Sequence, residues 1–85
     1  MWTHTADLEL LMDRLAEVGV AMLVRVDVER LRAGRPQWTL FLSGPLLHPA
    51  NTIRVDARTL GDGLTKALDR LRGQPGDWEW LDAWV

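Results

Sequence analysis

The hydrophobic positions of this chain follow two periods, and each period predicts one kind of secondary structure. Near the amino terminus, apolar residues recur at spacings of three and four: Leu8, Leu11, Met12, Leu15 and Val18. This spacing places all five on one face of a helix, which we expect over residues 6–18. The period then changes to two in VAMLVRVDVE, which predicts a strand over residues 20–30 with Val24 and Val26 on its apolar face.

Two further strands and a second helix complete the pattern. QWTLFLS alternates again and predicts a strand over residues 37–43, while TIRVDA predicts a third strand over residues 52–57. After Thr59, a plausible N-cap, apolar residues return to helical spacing and predict a helix over residues 60–72. The predicted order is therefore helix, strand, strand, strand, helix.

This order indicates an α+β fold formed by a single domain over residues 1–85. Short connections favour an antiparallel sheet, and each strand has one apolar face for the helices to cover. We therefore predict a two-layer sandwich, with both helices on one face of a three-stranded antiparallel sheet and a tryptophan-rich tail after them. The expected core residues are Leu11, Leu15, Val24, Val26, Leu40, Leu64 and Leu68.

The α-β-β-β-α order resembles the double-stranded-RNA-binding domain over nearly the whole chain. That family begins its second helix with several lysines that grip phosphates, whereas LGDGLTK, residues 60–66 here, has one lysine and one acidic residue. The resemblance therefore implies a topology and not a function. TLGDGLTKAL, residues 59–68, is also similar to the helix start of small HicB-type antitoxins. Ten residues of this kind occur in many unrelated helices, so no family assignment follows.

Composition narrows the class of protein further. Hydrophobic residues make up 47% of the chain and charged residues 26%, which is typical of a folded domain. The chain has no cysteine, which excludes disulfides, thiolate metal sites and thiol catalysis. Because MWTHTADLEL has no basic region followed by an apolar stretch, and no apolar run approaches the roughly 20 residues of a membrane span, we expect a cytoplasmic protein.

The net charge of −2 conceals a segregated pattern. Residues 1–29 carry −4, residues 30–72 carry +5 and residues 73–85 carry −3. The basic block contains five arginines that are candidates for nucleic-acid binding: Arg30, Arg32, Arg35, Arg54 and Arg58. Against that function, the isoelectric point is about 5.5 and acidic residues lie close to these arginines in sequence. Nucleic-acid binding is therefore the alternative function rather than the first.

Candidate groups for catalysis or cofactor binding are few. The only histidines are His4 and His48, and neither has an acidic neighbour at ligand spacing. Ser43, the only serine, has no neighbouring base. We therefore expect no enzyme, no small-molecule substrate, no cofactor and no metal.

The carboxyl-terminal stretch GDWEWLDAWV carries Trp78, Trp80 and Trp84 within a few residues. These indoles either complete the core or form an interface, and a short helix capped by Asp77 is slightly favoured over a strand. The sheet face turned away from the helices carries an apolar strip of Ala21, Leu23 and Phe41, which something should cover. Exposed aromatics beside arginines are enriched at protein-binding hot spots. The candidate partner-binding residues are Leu23, Phe41, Trp78, Trp80 and Trp84.

Together these features predict a small non-enzymatic domain that binds another protein and self-associates as a homo-oligomer. Within this class we expect an inhibitor, an antitoxin-like factor or an immunity-like factor. The alternatives are a nucleic-acid-binding module that uses the 30–35 turn and a structural subunit of an assembly. We further expect at least one of the three tryptophans to stay partly exposed, near the Leu23 and Phe41 side chains or the partner-binding edge.

Overall fold

A computed structural model describes residues 5–45, 47 and 51–83, and it confirms the α+β class with a three-stranded antiparallel sheet. The elements in chain order are helix α1 (Thr5–Glu17), strand β1 (Ala21–Val26), helix α2 (Val28–Arg32), strand β2 (Trp38–Ser43), strand β3 (Ile53–Ala57), helix α3 (Leu60–Arg72) and a 3-10 helix (Glu79–Ala83). Helices α1 and α3 and strands β2 and β3 lie within one residue of their predicted bounds at each end.

The sheet has the order β1-β2-β3, so β2 is the central strand. Leu40 of β2 lies opposite Val24 of β1 and opposite Val55 of β3. Helix α1 packs against β1, and α3 packs against β2 and β3. Because the buried side chains of both helices join one cluster with those of β2 and β3, both helices lie on the same side of the sheet.

The core lies between the sheet and these two helices. Leu11 and Leu15 of α1 and Leu64 and Leu68 of α3 are fully buried, as predicted. Leu40 is also fully buried at the centre of the sheet. Burial of a leucine side chain contributes about 1.5–3 kcal/mol, so these residues supply a large part of the free energy of folding.

Strand β1 is shorter than the predicted strand over residues 20–30, which is a correction to the sequence analysis. It ends at Val26, and α2 occupies residues assigned to the strand end and the hairpin turn. Asp27 is the N-cap of α2, because its Oδ1 accepts hydrogen bonds from the backbone N–H groups of Glu29 (2.9 Å) and Arg30 (3.2 Å). The alternating pattern continues past Asp27, so the pattern alone did not reveal this helix start.

Val26 is a second correction, since its expected place was in the core. Its residue surface is 55% exposed, whereas Met22 and Val24 on the same side of β1 are partly buried. Strand β1 is an outer strand, and of its three side chains on this side only Met22 and Val24 pack against the core cluster. The side chain of Val26 has the predicted direction, but the cluster does not extend to it.

Helix α3 begins as predicted and approaches the sheet closely at one glycine. The Thr59 hydroxyl accepts a hydrogen bond of 3.1 Å from the backbone N–H of Asp62. At Gly63, a Cβ would lie 2.6 Å from Leu40 Cδ1. The absence of that Cβ lets the first turn of α3 rest directly on β2, which explains a glycine in a position where it weakens the helix.

Candidate interaction surface

The side of the sheet opposite α1 and α3 presents polar and apolar side chains side by side. We call this side the outer face, and it is formed by Leu23 and Arg25 of β1, Thr39 and Phe41 of β2, and Arg54 and Asp56 of β3. Neither α1 nor α3 packs on it, and α2 reaches it through the side chain of Arg30. Alternation along each strand determines this arrangement, because successive side chains point to opposite faces.

An apolar pair lies on this face. Leu23 and Phe41 are directly opposite each other on adjacent strands, and they are 67% and 37% exposed. Arg54 lies opposite Phe41 on its other side. Ala21, the third residue of the predicted strip, is also exposed and lies opposite Ser43. The predicted apolar strip is therefore present on the surface of the described residues.

Charged side chains surround this pair in a shallow depression. Its lining comprises Leu23, Arg25, Asp27, Arg30, Arg35, Thr39, Phe41, Arg54 and Asp56. Four arginines against two aspartates give the lining a net positive charge. Arg25 was not among the candidate residues, although the alternation of β1 already placed it on the same face as Leu23. The alternation was therefore sufficient to identify Arg25 as a residue of this face.

One arginine of the depression is held in a network of hydrogen bonds and is little exposed to a partner. Arg30 donates a hydrogen bond to Thr39 Oγ1 and another, of 3.0 Å, from Nη1 to Asp56 Oδ1. Thr39 in turn donates to Asp56 Oδ1 at 2.7 Å. Only 16% of the Arg30 side chain is exposed, and its Nε also lies 3.5 Å from Asp27 Oδ2. The network ties α2 to β2 and β3 and neutralises much of the charge of Arg30.

Both aspartates of this network have lowered pKa values. The hydrogen bond from Thr39, followed by the one from Arg30, lowers the pKa of Asp56 below its ordinary value. The backbone N–H of Arg30 is the largest cause that lowers the pKa of Asp27, with the backbone N–H of Glu29 and nearby arginines adding to it. Both carboxylates are therefore charged near neutral pH and are part of the surface that a partner would meet.

The five predicted nucleic-acid-binding arginines do not form one group. Arg30, Arg35 and Arg54 line the depression, but Arg30 is engaged with Asp56, and Arg54 Nε lies 3.7 Å from the same carboxylate. Arg32 on α2 and Arg58 after β3 are exposed and do not line it. The depression therefore presents the guanidinium groups of Arg25, Arg35 and Arg54 beside carboxylates and apolar side chains.

The tail returns to the helical side of the sheet. Trp78 is 6% exposed, and its ring N–H donates to the backbone carbonyl of Gln74 at 2.9 Å. Leu81 is fully buried. Asp77 Oδ1 accepts from the backbone N–H of Glu79 at 3.2 Å, so the favoured helical turn is present as the 3-10 helix. Trp78 therefore belongs to the core, which leaves little of its ring for a partner.

Trp80 is partly exposed, as expected for at least one of the three tryptophans. The guanidinium carbon of Arg14 lies 5.4 Å from the centre of the Trp80 ring, so the ring contacts α1. This position is on the side of the sheet opposite Leu23 and Phe41, so Trp80 does not lie near that pair, and the alternative location at a partner-binding edge stays a prediction. The side chain of Trp84 lies outside the described residues, and its role stays a prediction.

The two histidines considered as candidates for catalysis or metal binding stay untested. His4 and His48 lie outside the described residues. In the part of the chain that the structure describes, no three histidine or acidic side chains are placed to hold a metal ion together. No helix within the described ranges combines the length and the apolar character that crossing a membrane requires.

Comparison of this chain with protein-family models, with curated proteins and with solved structures finds no match.

Proposed function

We propose that this protein is a small non-enzymatic domain that binds another protein through its outer face. The observation that carries the proposal is the exposed pair of Leu23 and Phe41, which lie side by side on a sheet face bordered by arginines. Isolated exposed apolar residues are ordinary. Here two apolar side chains lie together beside several arginines, and arginine is a residue type that is enriched at binding hot spots.

The charges around Leu23 and Phe41 indicate which chemical groups a partner should carry. Arg25, Arg35 and Arg54 favour carboxylates on the partner, and the apolar pair favours an aliphatic or aromatic side chain between them. We therefore propose a partner with an acidic surface around an apolar residue. We propose that the protein acts as an inhibitor, an antitoxin-like factor or an immunity-like factor that covers the surface of this partner. Apart from the short α2 between β1 and β2 and the 3-10 helix at the end, the order α1-β1-β2-β3-α3 supports a topology like that of the double-stranded-RNA-binding domain, without the lysines of that family.

The test compares two leucines of similar exposure on opposite sides of the protein. Leu23→Glu alters the outer face, and Leu10→Glu alters the exposed surface of α1, where Leu10 is 57% exposed. Proteins captured from the native host by the unchanged chain are identified, purified and titrated by calorimetry. We expect Leu23→Glu to weaken the affinity by at least about tenfold, because a charge then replaces the centre of the apolar pair. Leu10→Glu should leave it unchanged.

Equal affinities for Leu23→Glu and the unchanged chain would contradict the proposal, provided that both fold. Folding is checked for each variant by denaturant titration. Capture of nucleic acid in place of protein would also contradict it.

Nucleic-acid binding remains the second candidate because Arg35 and Arg54 line the same depression. The carboxylates of Asp27 and Asp56 lie among these arginines and repel phosphate, so we expect no appreciable binding near physiological salt. Fluorescence titration with single-stranded and duplex DNA and RNA measures this. The nucleic-acid function would be favoured instead by sub-micromolar binding that weakens with salt. Arg35→Ala should then weaken this binding, whereas Lys66→Ala on α3 should leave it unchanged.

A further inference from the structure

The backbone of β1 has two sides, and only one of them is paired within the described residues. The backbone N–H of Asp27 donates to the carbonyl of Gln37 at 2.8 Å, in line with the register of β1 and β2. Hydrogen-bonded pairs alternate along an antiparallel ladder. The backbone groups of Ala21, Leu23 and Arg25 therefore face β2, and those of Met22, Val24 and Val26 face away from the sheet.

Strand β3, the other outer strand, supports this assignment of backbone directions and differs from β1 in that its edge is partly covered. The same alternation directs the Arg54 carbonyl of β3 away from the sheet, and Arg70 Nη1 donates to that carbonyl at 2.6 Å. Strand β3 is therefore partly covered at its edge. No described side chain makes a hydrogen bond to the backbone of β1, and β1 contains no proline and a single charge, Arg25. Natural sheets usually protect such an edge against pairing.

The side chains at this edge are also incompletely covered. Met22 and Val24 are partly buried, and Val26 is 55% exposed on the side of the sheet that α1 and α3 occupy. A strand placed beside β1 would cover all three and would satisfy the backbone groups at the same time. Both observations point to the same kind of occupant, which is another β-strand.

We propose that this occupant is β1 of a second copy, paired antiparallel about a twofold axis at Val24. Opposite residues must share a face, which places the axis at a residue and not between two residues. Extensive overlap of the two six-residue strands then restricts the axis to the middle residues Leu23, Val24 or Arg25. An axis at Leu23 places Val20 opposite Val26, but the Val20 N–H already donates to the Leu15 carbonyl at 2.8 Å. An axis at Arg25 places two arginines opposite each other, which is unfavourable.

The axis at Val24 pairs residues that share a face, leaves the Val20 N–H in its hydrogen bond and avoids opposing arginines. Val24 lies opposite Val24 of the second copy and Met22 lies opposite its Val26, so all the outward N–H and C=O groups of both edges are paired. Arg25 lies opposite Leu23 of the second copy, which avoids contact between like charges. The result is a dimer with one continuous six-stranded sheet. This pairing uses the edge of the sheet and does not depend on the partner proposed for the outer face.

The test uses two valines of nearly equal exposure. Val26→Pro removes an N–H that faces the edge and leaves the hydrogen bonds between β1 and β2 intact. Val28→Pro is the matched control, because Val28 is 54% exposed and follows the N-cap Asp27, a position that favours proline. Light scattering on purified protein should give twice the chain mass of 9.7 kDa for the unchanged chain and for Val28→Pro, and a single chain mass for Val26→Pro.

A cysteine cross-link tests the axis and remains informative if Val26→Pro does not fold. The chain has no cysteine, so Val24→Cys introduces a single thiol. Opposite residues in a hydrogen-bonded pair lie about 5.5 Å apart at Cα, which a disulfide can bridge. Mild oxidation should link Val24→Cys into dimers and leave Leu31→Cys on α2 unlinked. An unchanged chain that stays monomeric, or a dimer in which Val24→Cys does not cross-link, would overturn the proposal.

Leu23→Glu keeps the two proposals distinguishable. It places a carboxylate opposite Arg25 of the second copy and should therefore leave the dimer intact while it weakens binding at the outer face. Val26→Pro should have the opposite effects on both measurements.

Discussion

Thr39 lies directly opposite Asp56 on the neighbouring strand, and its hydroxyl donates a hydrogen bond of 2.7 Å to Asp56 Oδ1. Arg30, from a helix that follows a different strand, donates to both residues. This three-residue network joins α2, β2 and β3 at the outer face. It therefore couples the stability of the fold to the charge state of a surface carboxylate.

The network predicts a loss of stability in acid. Because the folded-state pKa of Asp56 lies below its ordinary value of 3.8, its contribution is present above that pH and is lost as the pH falls through the folded pKa. The pKa of Asp27 is lowered in the same direction and adds to the effect. Urea titrations should show a free energy of unfolding that declines below about pH 4.

Thr39→Val should reduce this decline, because it removes the largest cause of the lowered pKa of Asp56. Thr65→Val is the control, since it removes an exposed threonine hydroxyl that donates to the Gly61 carbonyl and is not part of the network of Arg30, Thr39 and Asp56. An acid response that is the same in Thr39→Val, Thr65→Val and the unchanged chain would exclude the network as its source.

Substitutions at two leucines of α1 should differ widely in their effect on the free energy of unfolding. Leu15→Ala in α1 removes a fully buried side chain and should lower the free energy of unfolding by about 2–5 kcal/mol. Leu10→Ala, at a position that is 57% exposed, should change it by about 0.5 kcal/mol or less. Denaturant titration of both variants measures the difference. Similar losses would mean that the buried face of α1 is misplaced.

The two described tail tryptophans should differ in their effect on stability. Trp78→Ala removes a buried indole and should cost about 3–5 kcal/mol. Trp78→Phe keeps an aromatic ring but leaves the Gln74 carbonyl without its donor, which should cost about 1 kcal/mol for the lost hydrogen bond. Trp80→Ala removes a partly exposed ring and should cost clearly less than Trp78→Ala. Thermal unfolding checks the order, and equal losses for the two alanine variants would contradict it.

Alanine substitutions at two glycines with positive φ distinguish the cost of backbone strain from the cost of a steric clash. Gly34 has φ +71°, and a Cβ added there would meet no atom within 4 Å, so Gly34→Ala should cost about 1 kcal/mol for the left-handed conformation alone. Gly44 has φ +135°, and a Cβ there would collide with the Gly19 carbonyl oxygen. Gly44→Ala should therefore cost more than Gly34→Ala. Chemical denaturation gives both values, and the reverse order would count against this close approach.

Local pattern was sufficient to predict the parts of this protein that depend on neighbours in sequence. Alternation placed Leu23 and Phe41 on one face and Leu40 on the other, because successive residues of any strand point to opposite sides. Thr59 identified the start of α3 because a cap acts within one helical turn. The presence of an exposed apolar pair on the outer face was predictable for the same reason.

Other features depended on neighbours that are distant in sequence. Asp27 ended β1 and began α2 within an unbroken alternating pattern, and the position of Arg30 next to Asp56 is a contact across 26 residues. The same limit applies to Val26, which is exposed because the core cluster does not extend to it, and to Trp78, which is buried because the tail returns to the helical side. Periodicity determines which way a side chain points, whereas only the tertiary arrangement decides what covers it, because burial is a property of elements that meet in space.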